Sequence, residues 1–121
     1  MLSPDDISRI ATRVAREYRP LAVGVFGSYA IGTARQGSDL DLFVIRESAE
    51  RPELRRRAVQ RILFDVLHPL DVHVFTPGEF EESVYHEQSF TWVIARQARI
   101  YHWVEDAAKR VPSLLVRVRP L

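Results

Sequence analysis

Ile7, Ile10, Val14 and Tyr18 recur at helical spacing behind a start signal in which Ser3 can cap, Pro4 fits the first helical position, and Asp5 and Asp6 face the positive end of the dipole. The pattern predicts a first helix to about Arg19, where Pro20 stops it. "LAVGVF", residues 21–26, is a short apolar run rich in β-branched residues and predicts a buried strand ending at Gly27. Ser28 can then cap a short helix, and "GTARQG" reads as a polar loop between Gly32 and Gly37. Residues 39–45 predict a second strand, apolar on both faces once its two aspartates are set aside, which implies cover on both sides. "RPELRRRAVQRILFDVL" is amphipathic, with Leu54, Ala58, Ile62 and Val66 on one stripe; Arg55, Arg56, Arg57 and Arg61 lie largely off it as a solvated face, and Pro69 marks its end. "LDVHVF", residues 70–75, predicts a third strand, and Thr76 with Glu79 three residues on forms a capping box for another helix. Residues 87–98 predict a last helix carrying Phe90, Val93, Ile94 and Ala98. "RIYHWV" reads equally as a strand or as a continuation of that helix.

This order predicts an α/β (α+β) domain with a small mixed β-sheet and helices packed against it. At 121 residues the chain is one domain, expected over 1–105, with a tail over 106–121 whose alternating Val116, Arg117, Val118 and Arg119 suit an edge strand, a partner contact or self-association. A formal net charge of +1 gives no global field that argues for a nucleic-acid partner, so no direct nucleic acid is expected. The absence of cysteine removes disulfides, thiolate catalysis and cysteine zinc sites together. "MLSPDDISRI" lacks a secretion pattern and no apolar run approaches the length of a membrane span, so a cytoplasmic protein without a membrane association is expected.

Asp39 and Asp41 are the sharpest chemical feature. Two residues apart on a strand, they project from one side with α-carbons about 7 Å apart. Unpaired, such acids repel each other and raise each other's pKa, so a positive partner is needed, either an arginine or a divalent cation. Asp71, at the head of the third strand, favours the cation: if the second and third strands are neighbours, it completes a cluster of three acids. Oxygen-only ligation suits magnesium or manganese, and magnesium keeps waters and substrate phosphate oxygens as its other ligands. Gly27 and Ser28 then acquire a purpose, because glycine at a strand end lets a phosphate approach closely and the following turn offers N–H groups and a hydroxyl to an anion. Phosphate beside metal-binding acids describes two-metal nucleotidyl transfer, with ions roughly 4 Å apart.

Gly27-Ser28, ten intervening residues, Asp39-x-Asp41 and a strand-borne Asp71 closely resemble the DNA polymerase beta-like nucleotidyltransferase superfamily, specifically its minimal nucleotidyltransferases usually paired with a helical HEPN protein. The resemblance spans about residues 7–104 and includes the late "IARQARIYHWVE". It implies the polymerase beta-like nucleotidyltransferase fold, nucleotide phosphates at Gly27 and Ser28, and two magnesium ions on Asp39, Asp41 and Asp71, with Asp71 also near the attacking hydroxyl. It further implies AMP transfer from ATP to a tyrosine of a HEPN toxin, this chain being the antitoxin. One departure stands out: where many minimal members read Gly-Ser-x-Ala-Arg-Gly, this chain has "GSYAIG", with Ile31 for the arginine. Arg35 in the following loop is the candidate to supply the missing charge to the nucleotide.

Blander readings apply elsewhere. His73 shares the Asp71 face but reads as a hydrogen-bonded strand histidine; His68, His86 and His102 have no metal-site spacing, and Trp92 and Trp103 read as core. The only lysine is Lys109 and no Gly-x-x-x-x-Gly-Lys occurs, which excludes a P-loop ATPase. With little length beyond the catalytic core, acceptor recognition is expected from another chain. Two alternatives stand beside this expectation: a stand-alone aminoglycoside-type transferase, which needs a homo-oligomer to build its acceptor pocket, and a non-catalytic binding antitoxin of the same fold.

Overall fold

The computed structural model describes residues 1–104. Helix α1 (Pro4–Tyr18) begins with a complete capping box between Ser3 and Asp6 and ends where Arg19 turns left-handed at φ 53°. Strand β1 (Ala22–Phe26) leads through Gly27 into the single turn α2 (Ser28–Ile31). Strand β2 (Leu40–Ile45), helix α3 (Pro52–Ile62) and strand β3 (Leu70–Phe75) follow. Helices α4 (Pro77–Val84) and α5 (Phe90–Gln97) precede strand β4 (Arg99–Trp103). The sheet order is β3-β2-β1-β4. Antiparallel pairs join β1 to β2 and to β4, whereas β2 and β3 are parallel. A parallel pair needs a crossover, and α3 provides it. The chain therefore has the mixed α/β architecture expected, and "RIYHWV" is resolved as a strand.

Strand periodicity divides the core. Leu40, Leu42, Val44, Val72 and Val74 face α1 and α3, in one cluster with Ile7, Ile10, Val14 and Val59. Phe26, Phe43, Ile45 and Ile100 face the other way, against Phe80 and Val84 of α4 and Ile94 of α5. Cover on both faces is what the apolar content of residues 39–45 required. Gly24 is needed in the middle of β1, because a Cβ there would lie 2.6 Å from the Arg99 carbonyl and closer still to the Phe43 ring. The β1–β4 register shifts at this point.

Two local expectations are corrected. The N-cap of α2 is Gly27, without a side-chain cap, and Ser28 is already its first helical residue. The α3 stripe is rotated and shorter than read. Leu54 is exposed, Val59 and Leu63 are buried with Ala58, Ile62 and Val66 partly buried beside them, and the helix stops at Ile62 rather than near Pro69. Arg55, expected on the solvated face, is 1% exposed. Its guanidinium makes a two-pronged pair with Glu79 at 2.7 Å on each arm and donates to the Glu50 and Val74 carbonyls. Hydropathy alone misplaces such a residue, because a fully hydrogen-bonded guanidinium can occupy a core position. Arg56, Arg57 and Arg61 are exposed as expected. The expected tail, 106–121, lies outside the described residues. Among those described, no helix is long and apolar enough to cross a membrane.

Candidate active site

The acids meet on the sheet face covered by α4 and α5. In β2, Leu40 and Leu42 point toward α1 and α3, so Asp41 between them points to the opposite face, as do Asp71 and His73, which alternate with the inward Val72 and Val74 of β3. The parallel register pairs Asp41 with Asp71, which puts their backbones about 4.8 Å apart. The antiparallel register pairs Asp41 with Phe26, the residue before Gly27. One row across the sheet thus runs from Asp71 through Asp41 to the end of β1.

Gly27 closes that row. Its φ of 70° and ψ of −152° suit glycine, and a Cβ on it would lie 2.2 Å from Asp41 Oδ2. The glycine therefore serves two needs at once, a sharp exit from β1 and room for the Asp41 carboxylate. Its amide donates to Gln97 Oε1 at 3.1 Å, while its carbonyl accepts from the Ala30 and Ile31 amides. Ser28 is half-buried beside it.

Asp41 is half-buried, and its carboxyl is held above the usual carboxylate range, first by burial and then by the charges of Asp71 and Asp39, with His73 acting in the opposite direction. Among the described residues no arginine or lysine forms an ion pair with Asp39, Asp41 or Asp71. Asp39 lies just before β2 and is exposed. Asp71 is half exposed and has His73 Nε2 at 3.1 Å from its Oδ2, off the hydrogen-bonding direction. His73 is thus not the satisfied strand histidine expected. Its Nε2 is buried without a hydrogen-bond partner, and its ring sits among Phe26, Phe75 and Phe90 with centroids 5.5, 6.4 and 4.9 Å away.

The donor set suits a hard dication in its chemistry: oxygen ligands and a register-matched pair, with no arginine or lysine paired to them among the described residues. Among the described residues, however, no three acidic, histidine or cysteine side chains converge tightly enough to hold a metal ion. Like charges repel, so three carboxylates have no reason to close on one point by themselves. Arg35 lies on the exposed loop after α2, where its amide donates to Ser38 Oγ and its side chain makes no ion pair with the acids. The structure thus brings Gly27, Asp41 and Asp71 together with Ser28 and Asp39 beside them, and leaves Arg35 in solvent.

Three further residues shape the site without having been legible as such. Gln97 holds the Gly27 amide, Arg99 donates from Nε to the Ala30 carbonyl at 2.6 Å, and His68 Nε2 lies 2.8 Å from the Ser38 carbonyl, next to Asp39. Each acts from a distant part of the chain; Gln97 and Arg99 lie within the late "IARQARIYHWVE", but only the fold shows what they hold.

A nucleotidyltransferase domain family model matches residues 7–116. Among solved structures, a chain of a toxin–antitoxin crystallised with AMP-PNP superposes with a TM-score of 0.58 at 18% identity, over 91% of this chain and 82% of that one. A chain of a mutant of the toxin–antitoxin MntA-HpeT gives 0.58 at 14% identity, over 96% and 83%. A provisionally assigned nucleotidyltransferase from Sulfolobus solfataricus gives 0.51 at 25% identity, over 63% and 68%. No curated protein sequence matches significantly.

Proposed function

The chain belongs to the nucleotidyltransferase domain family, and from that premise we propose that it transfers AMP from ATP to a hydroxyl of a partner protein, a tyrosine of a HEPN-type toxin, and acts as that toxin's antitoxin. The observation that carries the chemistry is the in-register pair Asp41 and Asp71, unpaired by any arginine or lysine among the described residues and set against a glycine turn. The partner reading is supported by the structural neighbours, which are chains of toxin–antitoxin complexes, one with AMP-PNP.

Asp39, Asp41 and Asp71 would hold two magnesium ions. When bound, these supply charge neutralisation at the α-phosphate and lower the pKa of the attacking hydroxyl. The Gly27-Ser28 turn accepts the outer phosphates, with the Ser28 hydroxyl donating to a phosphate oxygen. Asp41, crowded and half-buried, is the acid whose charge is least comfortable alone and so the one that gains most from a cation. Asp71 lies within reach of solvent and so of an incoming acceptor; its carboxylate takes the hydroxyl proton as the acceptor oxygen bonds to the α-phosphorus. The bond from phosphorus to the bridging oxygen breaks, and pyrophosphate leaves. Ile31 is exposed on α2 and provides no charge, so phosphate binding relies on backbone and metal rather than on an arginine at this position.

The test incubates the protein with α-labelled ATP, magnesium and the product of the neighbouring gene. Label on that protein, lost in Asp41→Asn and Asp71→Asn, is the expected result. Label on a small molecule instead assigns an aminoglycoside-type enzyme. Absence of label while the toxin is still neutralised assigns a binding antitoxin and ends the catalytic reading.

A further inference from the structure

Gly27 lies between the phosphate turn and the Asp41 carboxylate, so what fixes its conformation bears on their relation. Two peptide planes flank its α-carbon. The following one is held by α2, through the Gly27 carbonyl and the amides of Ala30 and Ile31. The preceding one joins Phe26, paired with Asp41 in the sheet, to Gly27, whose N–H donates to the Oε1 of Gln97, 70 residues further along the chain. Since an amide N–H can only donate, the carboxamide must present its oxygen to it, which fixes the orientation of the Gln97 head group.

Gln97 is itself well placed to do this. It is the last residue of α5, and two residues later Arg99 is hydrogen-bonded into the sheet opposite Val25 of β1. Arg99 also donates to the Ala30 carbonyl. The α5–β4 junction thus grips the turn at both ends, Gln97 at Gly27 and Arg99 at Ala30. Glycine has the widest backbone freedom of any residue, so an unheld Gly27 would leave its φ of 70° for other conformations.

We propose that Gln97 is a positioning residue for nucleotide binding: by holding the Gly27 amide it keeps the phosphate turn in its binding-competent shape against Asp41. This rests on the nucleotidyl-transfer reading above. Removing the bond lowers the fraction of molecules with a competent turn, and apparent affinity falls by that fraction while the bound complex reacts as before.

Gln97→Met keeps the length and removes the acceptor. With ATP and magnesium the expected result is a KM for ATP raised about tenfold with kcat within about twofold, whether or not the melting temperature falls by a few degrees. A second measurement needs no variant: in the wild-type protein the Gly27 amide should be protected from hydrogen exchange before ATP analogue is added and remain so afterwards. An unchanged KM with a lowered melting temperature overturns the proposal, making Gln97 a structural peg only. So does a Gly27 amide that exchanges freely. Wild-type protein that binds no nucleotide overturns the functional reading and this inference together, whereas normal wild-type binding beside an unaffected Gln97→Met overturns this one alone.

Discussion

Two places in this small domain put charge where water is scarce, and they treat it in opposite ways. Arg55 is the more deeply buried, yet each nitrogen of its guanidinium has a partner: two arms on Glu79, and further bonds to the Glu50 and Val74 carbonyls. Asp41 is less buried and faces more of its own sign, Asp71 beside it and Asp39 before it. The first arrangement ties α3 to β3 and the start of α4. The second ties nothing, and costs stability whenever Asp41 is ionised. Such a cost is tolerated where the charge has a use, and an acid with a raised pKa beside others on one sheet face is in keeping with the proposed cation-dependent chemistry.

The titration signs separate the two. Glu79 is held below its ordinary pKa, chiefly by its hydrogen bond to Arg55 and then, against burial, by the Thr76 amide, so its contribution is present at neutral pH and is lost as pH falls through the folded value, below 4.5. Asp41 is held above 3.8, so its ionisation destabilises the fold, and the strain appears as pH rises from that ordinary value through the raised one. One site makes the protein weaker in acid; the other relieves it.

Substitutions sharpen this contrast. The largest effect is expected on activity, where Asp41→Asn or Asp71→Asn should lower label transfer by about a thousandfold or more, the scale on which charge stabilisation at a reacting phosphate is lost; near-normal transfer by either would remove it from the site. Next comes stability at the paired site. Glu79→Ala strands a guanidinium that is 1% exposed and should cost about 3–5 kcal/mol in urea unfolding. Arg55→Met leaves behind a glutamate side chain that is 41% exposed and able to hydrate, and should cost less, about 1–2 kcal/mol. Equal costs would mean that burial does not set the asymmetry.

Gly27→Ala is expected to lower activity by about a hundredfold through displacement of the turn and of Asp41, since a misplacement near 1 Å has that effect on a reacting constellation. Crystals of the variant should show the Asp41 side chain moved. The smallest effect has the most diagnostic sign. Asp41→Asn, while inactive, should melt about 2–4 °C higher than the wild type at neutral pH without metal, and the gain should vanish near pH 3, where the wild-type acid is itself neutral. A lowered melting temperature would show that Asp41 is a structural acid after all.

Much of the site could be read directly because its signals are local. Glycine and serine at a strand end, aspartates two apart, and an acid opening an apolar run each follow from strand period and turn chemistry within a few residues. The sheet face shared by Asp41 and Asp71 follows from the same period, but their pairing needed β2 and β3 to be neighbours, which the sequence offered only as a condition. His73 was placed on the correct face by counting and given the wrong company, since its contact with Asp71 and its aromatic surroundings come from three separate elements.

Local sequence determined most of the helices and strands, the caps at Ser3 and Thr76, and the acids with their glycine turn, because hydrophobic period and backbone preference act between near neighbours. Tertiary structure alone decided that Arg55 is core rather than surface, that "RIYHWV" is a strand, and that Gln97 and Arg99 hold a turn about 70 residues away. The physical reason is the same in each case. A polar side chain's place depends on which distant group can satisfy its hydrogen bonds, and that partner is chosen by the packing of the whole sheet.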